Sequence, residues 1–404
     1  MMSLNLNQEV DRSNTGSVKY KVIARDGEYV ISDEANLAHG DERMIQMWVA
    51  DMDFSTAPAI TEALHDRIDH AIYGYTEPEE GFYDAIINWS ARRYAWQIEK
   101  SWLTITPGVV PALSFIVASL LEQGDKILIQ PPVYGPFRKV TEGNNCVVVE
   151  NLLLHDEESG RYTMDYDDLA QKAANPEVKM AILCSPHNPV GRVWTREELT
   201  RFAEICIKND VIMVSDEIHC DLIYDGHEFV ALASLSKEIA QHTITCMAPS
   251  KTFNLAGLKC SYTIIPNAEF RQKLDDALYR TSLGRPNVFA PFAIEAAYNK
   301  GEAWLSEVMA YVQANYEYMH DYLAEFLPQI KLTEPEATYL IWADFSAFGL
   351  SQEELFSKLV DEARVHLTNG LFFGDQGEGF IRFNLACARP TLEEALRRIV
   401  RVFR

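Results

Sequence analysis

Basic residues are scarce in this chain. Lysine and arginine number 36 against 59 aspartates and glutamates, which leaves a net charge of −23 over 404 residues. Such a surface repels phosphate backbones and anionic lipids, so nucleic-acid and membrane-surface functions are poor fits. Cysteine is also sparse, with seven in all, and none lies in a C-x-x-C pair or in a zinc-spaced cluster with histidine. An odd number with long gaps excludes a disulfide framework and no metal site is expected; most sit in apolar runs such as "AILCS", "AEICI" and "TITCM", as buried inert thiols do. Long hydrophobic stretches are missing too. The longest near-apolar run, Val109 to Leu121, contains Pro111 and two serines and is too short to span a bilayer. The opening "MMSLNLNQEV" has neither the basic nor the apolar region of a secretion signal, so the expectation is a soluble cytoplasmic protein.

What is present suits a globular chain. Apolar residues make up 48% and charged residues 24%, and the length fits two lobes rather than one small core. No repeat or low-complexity linker divides it. From about Ile105 to Pro266 the runs "KILIQ", "CVVVENLLL", "KMAILCS", "VIMVSD", "TITCM" and "SYTIIP" alternate with helical patterns. They are rich in Val, Ile and Leu without alternation, which predicts strands buried on both faces. Thr195 and Glu198 fit a capping box before "LTRFAEICIKN". Strands alternating with helices predict an α/β fold with a mostly parallel sheet flanked by helices. After Pro286 a long helical stretch, roughly Phe289 to Phe326, leads into an α+β pattern. The expected division is an arm over residues 1–45, a large domain over 46–287 and a smaller α+β domain over 288–404.

In open α/β sheets ligands gather where strands reach their carboxyl ends. "TITPGVVPAL" sets Gly108 before a helix start, whose free N–H groups could hold an anion. After "KILIQ" comes Tyr134, after "KMAILCS" Asn188, after "VIMVS" Asp216 with His219 three residues on, and after "TITCM" Ser250 and Lys251. Taken singly, each has an ordinary structural explanation: Asn before Pro forms turns, Asp at a strand end caps helices, and Tyr in a Pro-Pro loop packs. Together they are what pyridoxal 5'-phosphate requires. That cofactor needs a lysine amine for its aldehyde, a carboxylate for its ring nitrogen, a donor for its ring oxygen, an aromatic face and a phosphate cradle. Among the late arginines, Arg389, Arg397 and Arg398 lie among acids, and the last two are expected at the surface. Arg382 sits mid-run in "GFIRFNLAC", where an unpaired guanidinium would be costly, and is expected to be buried.

The order Tyr134, "HNPVG", "SDEIHCDL", "SKTFNLAGLKC" and "RFNLAC" resembles the fold-type-I pyridoxal-phosphate enzymes of the aspartate aminotransferase superfamily over nearly the whole chain. "MWVADMDF", "YGYTEPEEGFYDAI" and "TPGVVPAL" are similar to its cystathionine β-lyase, or C–S lyase, branch of MalY/PatB type. The resemblance implies that Lys251 bonds to the cofactor and moves the substrate's α-proton. Asp216 would pair with the ring nitrogen, Asn188 would bind the ring oxygen and the substrate with His219 nearby, and Tyr134 would stack on the ring. The Val109 and Val110 amides, Ser250 and Lys259 would hold the phosphate. Tyr75 would join the site of a neighbouring subunit, so a homodimer is implied, with Tyr73 as its rival for that place. Arg382 would clamp the substrate carboxylate. His219 stands where the superfamily usually has tyrosine, and Ala248 and Lys259 where it often has serine and arginine, which shifts the phosphate grip toward backbone N–H groups. The implied activity is β-elimination from L-cystathionine or another cysteine S-conjugate to a thiol, pyruvate and ammonia. Aminotransfer uses the same residues, and some members of the branch also bind a transcription regulator.

Overall fold

The computed structural model describes residues 5–12, 14–25, 28–31 and 44–404. Its centre is a seven-stranded sheet made of β1 (Leu103–Thr106), β2 (Lys126–Ile129), β3 (Val147–Glu150), β4 (Val178–Cys184), β5 (Ile212–Asp216), β6 (Thr243–Met247) and β7 (Ser261–Ile264), in the spatial order β1-β7-β6-β5-β4-β2-β3. All neighbours pair in parallel except β7, which runs antiparallel to both β6 and β1. Successive residues of the middle strands enter different cores. Ile127, Ile129, Met180, Ile182 and Val214 pack on the face covered by helix α1 (Val109–Leu120) and helix α2 (Pro136–Gly143). Leu128, Ala181, Leu183 and Met213 pack on the other, with helix α3 (Arg196–Lys208). Both faces are therefore dry, which is why these runs show no apolar–polar alternation. The capping box holds as read: the Thr195 hydroxyl accepts from the Glu198 amide, and the Glu198 carboxylate accepts from the Thr195 amide. Such caps contribute about 1 kcal/mol.

After β6 comes the single-turn helix α4 (Pro249–Thr252), which carries Lys251. The long helical stretch expected after Pro286 is two helices, α5 (Ala290–Lys300) and α6 (Glu302–Phe326). They break at Gly301, where a Cβ would stand 2.4 Å from the Phe253 ring and 2.5 Å from the Ala297 carbonyl. Here the backbone meets core side chains so closely that only glycine fits. A second sheet of four antiparallel strands follows, in the order β8 (Lys331–Leu332), β9 (Leu340–Asp344), β11 (Phe380–Asn384) and β10 (Thr368–Asn369). Ile341, Phe345, Ile381 and Phe383 pack there with Leu392, Leu396 and Ile399 of the last helix, α7 (Arg389–Phe403).

The start of the chain is tied to this second sheet. Ile45–Gln46 pairs in parallel with Val365–His366, the Asn384 amide donates to the Met47 carbonyl, and the Asp53 amide donates to the Ala386 carbonyl. Segment 45–53 thus runs beside β11 and ends over the carboxyl ends of the central strands. Arg398 departs from the sequence expectation. Its side chain is only 4% exposed and its Nε donates to Glu394 at 2.6 Å, one turn earlier in α7. That pair lets the guanidinium lie against the helix instead of in water. Part of the expected N-terminal arm, residues 32–43, lies outside the described residues.

Candidate active site

A cavity of about 340 Å³ opens at the carboxyl ends of β4, β5 and β6, between the two sheets. Val109, Val110, Tyr134, Asn188, Asp216, His219, Ser250, Lys251, Lys259 and Arg382 all line it. Residues about 270 positions apart in sequence meet there: most follow or end a strand of the central sheet, Lys259 precedes β7, and Arg382 reaches in from the middle of β11. Tyr75 and Tyr73 do not line it. Both lie on the surface loop after residue 70; Tyr75 is fully exposed, and the Tyr73 hydroxyl donates to the Ile68 carbonyl.

Lys251 projects from the first turn after β6, and its Nζ donates to the Ala50 carbonyl at 2.6 Å. Its pKa is pushed down from 10.5 to about 8, first by burial and then by the charge of Arg382 and, less, Lys259, with Asp51 and Asp216 opposing. A good fraction of this amine is therefore neutral near physiological pH, the state a nucleophile or proton acceptor needs. Asp216 ends β5 and is pushed up to about 7 by burial, against the Ile218 amide and Lys251, both of which favour the carboxylate. A cation placed against Asp216 would restore its ionisation. His219 is buried, edge to face with Tyr339 at a ring-centroid separation of 6.4 Å, and its Nδ1 meets no hydrogen-bond partner among the described residues. Burial, followed by Lys251 and Arg382, holds its pKa well below the usual histidine value, so the ring is neutral.

Arg382 crosses from β11 into the cavity and is almost wholly buried. It donates to Asn188 Oδ1 at 3.0 Å, to the Trp48 carbonyl at 2.9 Å and to Thr368 Oγ1 at 3.1 Å, and lies 5.0 Å over the Phe373 ring. These contacts aim the guanidinium. At the opposite wall Gly108, with φ of 132°, turns the chain into α1. Its own amide donates to Ser261 Oγ at 3.0 Å. The Val109 and Val110 amides lie in the first turn, ahead of the first amide with an intrahelical acceptor, and point out of the helix end with its positive dipole. Lys259 lines the same cavity from an exposed position with φ of 50°.

One wall was not foreseen from the sequence. Trp48, Val49 and Ala50 line the cavity, and their carbonyls accept from Arg382, Asn384 and Lys251 respectively; the Tyr339 hydroxyl shares the Ala50 carbonyl at 2.9 Å. Ion pairs from the N-terminal arm fix this segment. Arg12 donates to Asp51 and Asp53 at 2.7 Å each, and the fully buried Lys19 donates to Asp53 at 2.7 Å. The available signal was two carboxylates inside the otherwise apolar "MWVADMDF".

The site suits pyridoxal phosphate on the chemistry of its donors. A helix end offers amides to a dianion, a buried carboxylate has a depressed tendency to ionise until a cation meets it, a buried imidazole nitrogen has no partner within the chain, and a partly neutral amine sits between them. Among the described residues no group of three or more metal-ligating side chains occurs.

The aminotransferase class I and II family matches residues 42–399. Cystathionine β-lyase PatB of Bacillus subtilis is 44% identical over 396 residues, covering 98% of this chain and 99% of that protein. The structure of cystalysin from Treponema denticola, which contains pyridoxal 5'-phosphate, superimposes with a TM-score of 0.92 at 32% identity, covering 99% of each chain. The PLP-bound C–S lyase from Staphylococcus hominis gives 0.89 at 32% identity, covering 99% of this chain and 98% of that one.

Proposed function

The chain belongs to the aminotransferase class I and II family, and from that membership and the cavity we propose that it is a pyridoxal-phosphate-dependent carbon–sulfur β-lyase. Its substrates are L-cystathionine and related cysteine S-conjugates, and its products are a thiol, pyruvate and ammonia. One observation carries the reading. The cavity joins an amine depressed to about 8 with a buried guanidinium already aimed by three acceptors, in a chain 44% identical to a cystathionine β-lyase.

Pyridoxal phosphate, when bound, supplies an electron sink for negative charge at the substrate's α-carbon. The chain's residues do the rest. Arg382 binds the α-carboxylate with two parallel N–H donors and fixes the amino acid's orientation. Lys251 would bond to the cofactor through its Nζ, and the same amine would take the substrate's α-proton. The Ala50 carbonyl gives that amine a fixed acceptor, so it waits in place. Asp216 would hold the ring nitrogen, Asn188 and His219 the ring oxygen, and Tyr134 the ring face. The Val109 and Val110 amides, Ser250 and Lys259 would hold the phosphate. Tyr75 acts in the site of a second copy, which makes the working unit a homodimer with shared sites, and residues 46–287 and 288–404 form its large and small domains. The seven cysteines are all buried free thiols, in keeping with a cytoplasmic location, and no helix among the described residues is long and apolar enough to cross a membrane.

The test is pyruvate release from L-cystathionine with no keto acid added. Stoichiometric thiol and pyruvate support the lyase. Turnover only when a keto acid is supplied would assign the site to aminotransfer instead.

A further inference from the structure

A second cavity, of about 350 Å³, adjoins the first through two shared residues, Tyr134 and Phe372. The rings of these residues meet edge to face with centroids 6.1 Å apart, and together form the sill between the chambers. The rest of the outer chamber is charged as well as apolar: Arg138 and Lys139 from α2, Glu150 from the end of β3, and Leu371, Phe373 and Asp375 from the loop "GLFFGDQG".

That loop is held in one shape. A Cβ on Gly370 would stand 2.0 Å from the Gly377 carbonyl, and one on Gly377 would stand 1.9 Å from the Gly370 carbonyl, so the loop's ends touch backbone to backbone. A Cβ on Gly135 would stand 2.5 Å from the Phe372 carbonyl. The Val133 amide donates to the Phe373 carbonyl at 2.9 Å, which ties the loop to the start of α2. Three glycines at backbone contacts this close argue for a fixed wall rather than a loose surface turn.

The charges in the chamber divide into two groups. Arg138 is satisfied within the chain, between Glu142 and Glu150. The side chains of Lys139 and Asp375 make no hydrogen bond or ion pair among the described residues. Both residues are exposed at the chamber's mouth, so one cation and one anion are open to a ligand there. A thioether such as L-cystathionine carries at its far end a second amino-acid group, one carboxylate and one ammonium on a short aliphatic stem.

Resting on the lyase reading above, we propose that the outer chamber is the subsite for this distal zwitterion. The sulfur chain passes over the Tyr134–Phe372 sill, the distal carboxylate meets Lys139, and the distal ammonium meets Asp375 beside Glu150. The enzyme therefore favours cysteine S-conjugates whose leaving thiol is itself a charged amino acid over those with a bare alkyl group.

The experiment compares L-cystathionine with S-methyl-L-cysteine on the holoenzyme and its Lys139→Glu and Lys139→Arg variants. Pyruvate release gives kcat/KM, and the change in cofactor absorbance on titration gives binding. Lys139→Glu should lower kcat/KM and binding for L-cystathionine roughly tenfold, as expected for turning one charge-assisted contact into a repulsion. It should leave S-methyl-L-cysteine unchanged, and Lys139→Arg should retain most of the cystathionine preference. Equal losses on both substrates, or unaltered cystathionine binding in Lys139→Glu, overturn the subsite. Wild-type holoenzyme that binds both thioethers but releases no pyruvate sinks the lyase reading alone, and the binding comparison still decides the subsite.

Discussion

Replacing Lys251 by methionine in the cofactor-free chain removes one titration and keeps most of the side chain's volume, so it isolates the amine's contribution to stability. In the unfolded chain lysine holds its proton up to about 10.5, whereas in the folded chain Lys251 releases it near 8. Between those values the unfolded state binds more protons, so the Lys251 contribution to stability rises with pH through this window. Below pH 8 both states are charged and the folded chain carries the full cost of burying the ammonium; above 10.5 both are neutral and the cost is gone. The shift corresponds to about 3 kcal/mol at most, an upper figure because the side chain keeps partial access through the cavity mouth. Asp216, near 7, loses the favourable charge of Lys251 in the variant, so its titration enters only at the low end and the rise between pH 8 and 10 carries the test. Urea unfolding of both cofactor-free proteins at pH 7, 8, 9 and 10 gives the difference directly. Wild type should be the less stable at pH 7 and should gain on Lys251→Met by about 2–3 kcal/mol on approaching pH 10.5. A difference that stays flat, or that falls with pH, would refute a depressed amine and with it the argument that Lys251 is partly neutral at rest.

Two further outcomes follow from the geometry. Arg382→Lys keeps a charge but loses the planar fork, so it should lower kcat/KM for every thioether by about 10- to 100-fold, equivalent to one charge-assisted bond; an unchanged kcat/KM would remove Arg382 from carboxylate binding. Arg192 is buried and joins Glu336 at 2.9 Å to Glu198 at 2.9 Å, with the Tyr162 carbonyl as a further acceptor. Arg192→Met leaves Glu336 with the half-exposed Arg161 at 3.1 Å and the Val193 amide at 2.7 Å as its remaining partners and should cost about 1–3 kcal/mol in urea unfolding, and an unchanged unfolding midpoint would mean that those partners suffice.

The central sheet and the strand-end residues were readable from the sequence for one physical reason. A strand buried on both faces must be continuously apolar, so the first polar residue after it marks the sheet's edge, where ligands bind. Asn188, Asp216 and Lys251 all stand at or just past that edge. What stayed hidden depends on backbone or on distant approach. Ala50 serves the site through its carbonyl, which no side-chain pattern announces. Gly301 breaks a helix because Phe253 occupies the space of a Cβ, a clash that helix periodicity does not register. Arg398 reads as a solvated charge in an acidic neighbourhood, yet its i−4 glutamate lets it lie buried. Phe372 resembles any core aromatic until the loop's glycines place it between two cavities.

The arm and the strand-end residues are one construction. Segment 48–53 is held from outside by Arg12 and Lys19 and from inside by Asn254 and Asn384, whose amides donate to the Met52 and Asp51 carbonyls among others. Its own carbonyls then accept from the Arg382 guanidinium and the Lys251 amine. An isolated guanidinium and ammonium this close would repel and drift toward solvent. Here each has a fixed carbonyl acceptor, so both stay in the cavity with their charges suppressed or aimed. The two acids of "MWVADMDF" therefore anchor the strip of backbone whose carbonyls hold Arg382 and Lys251.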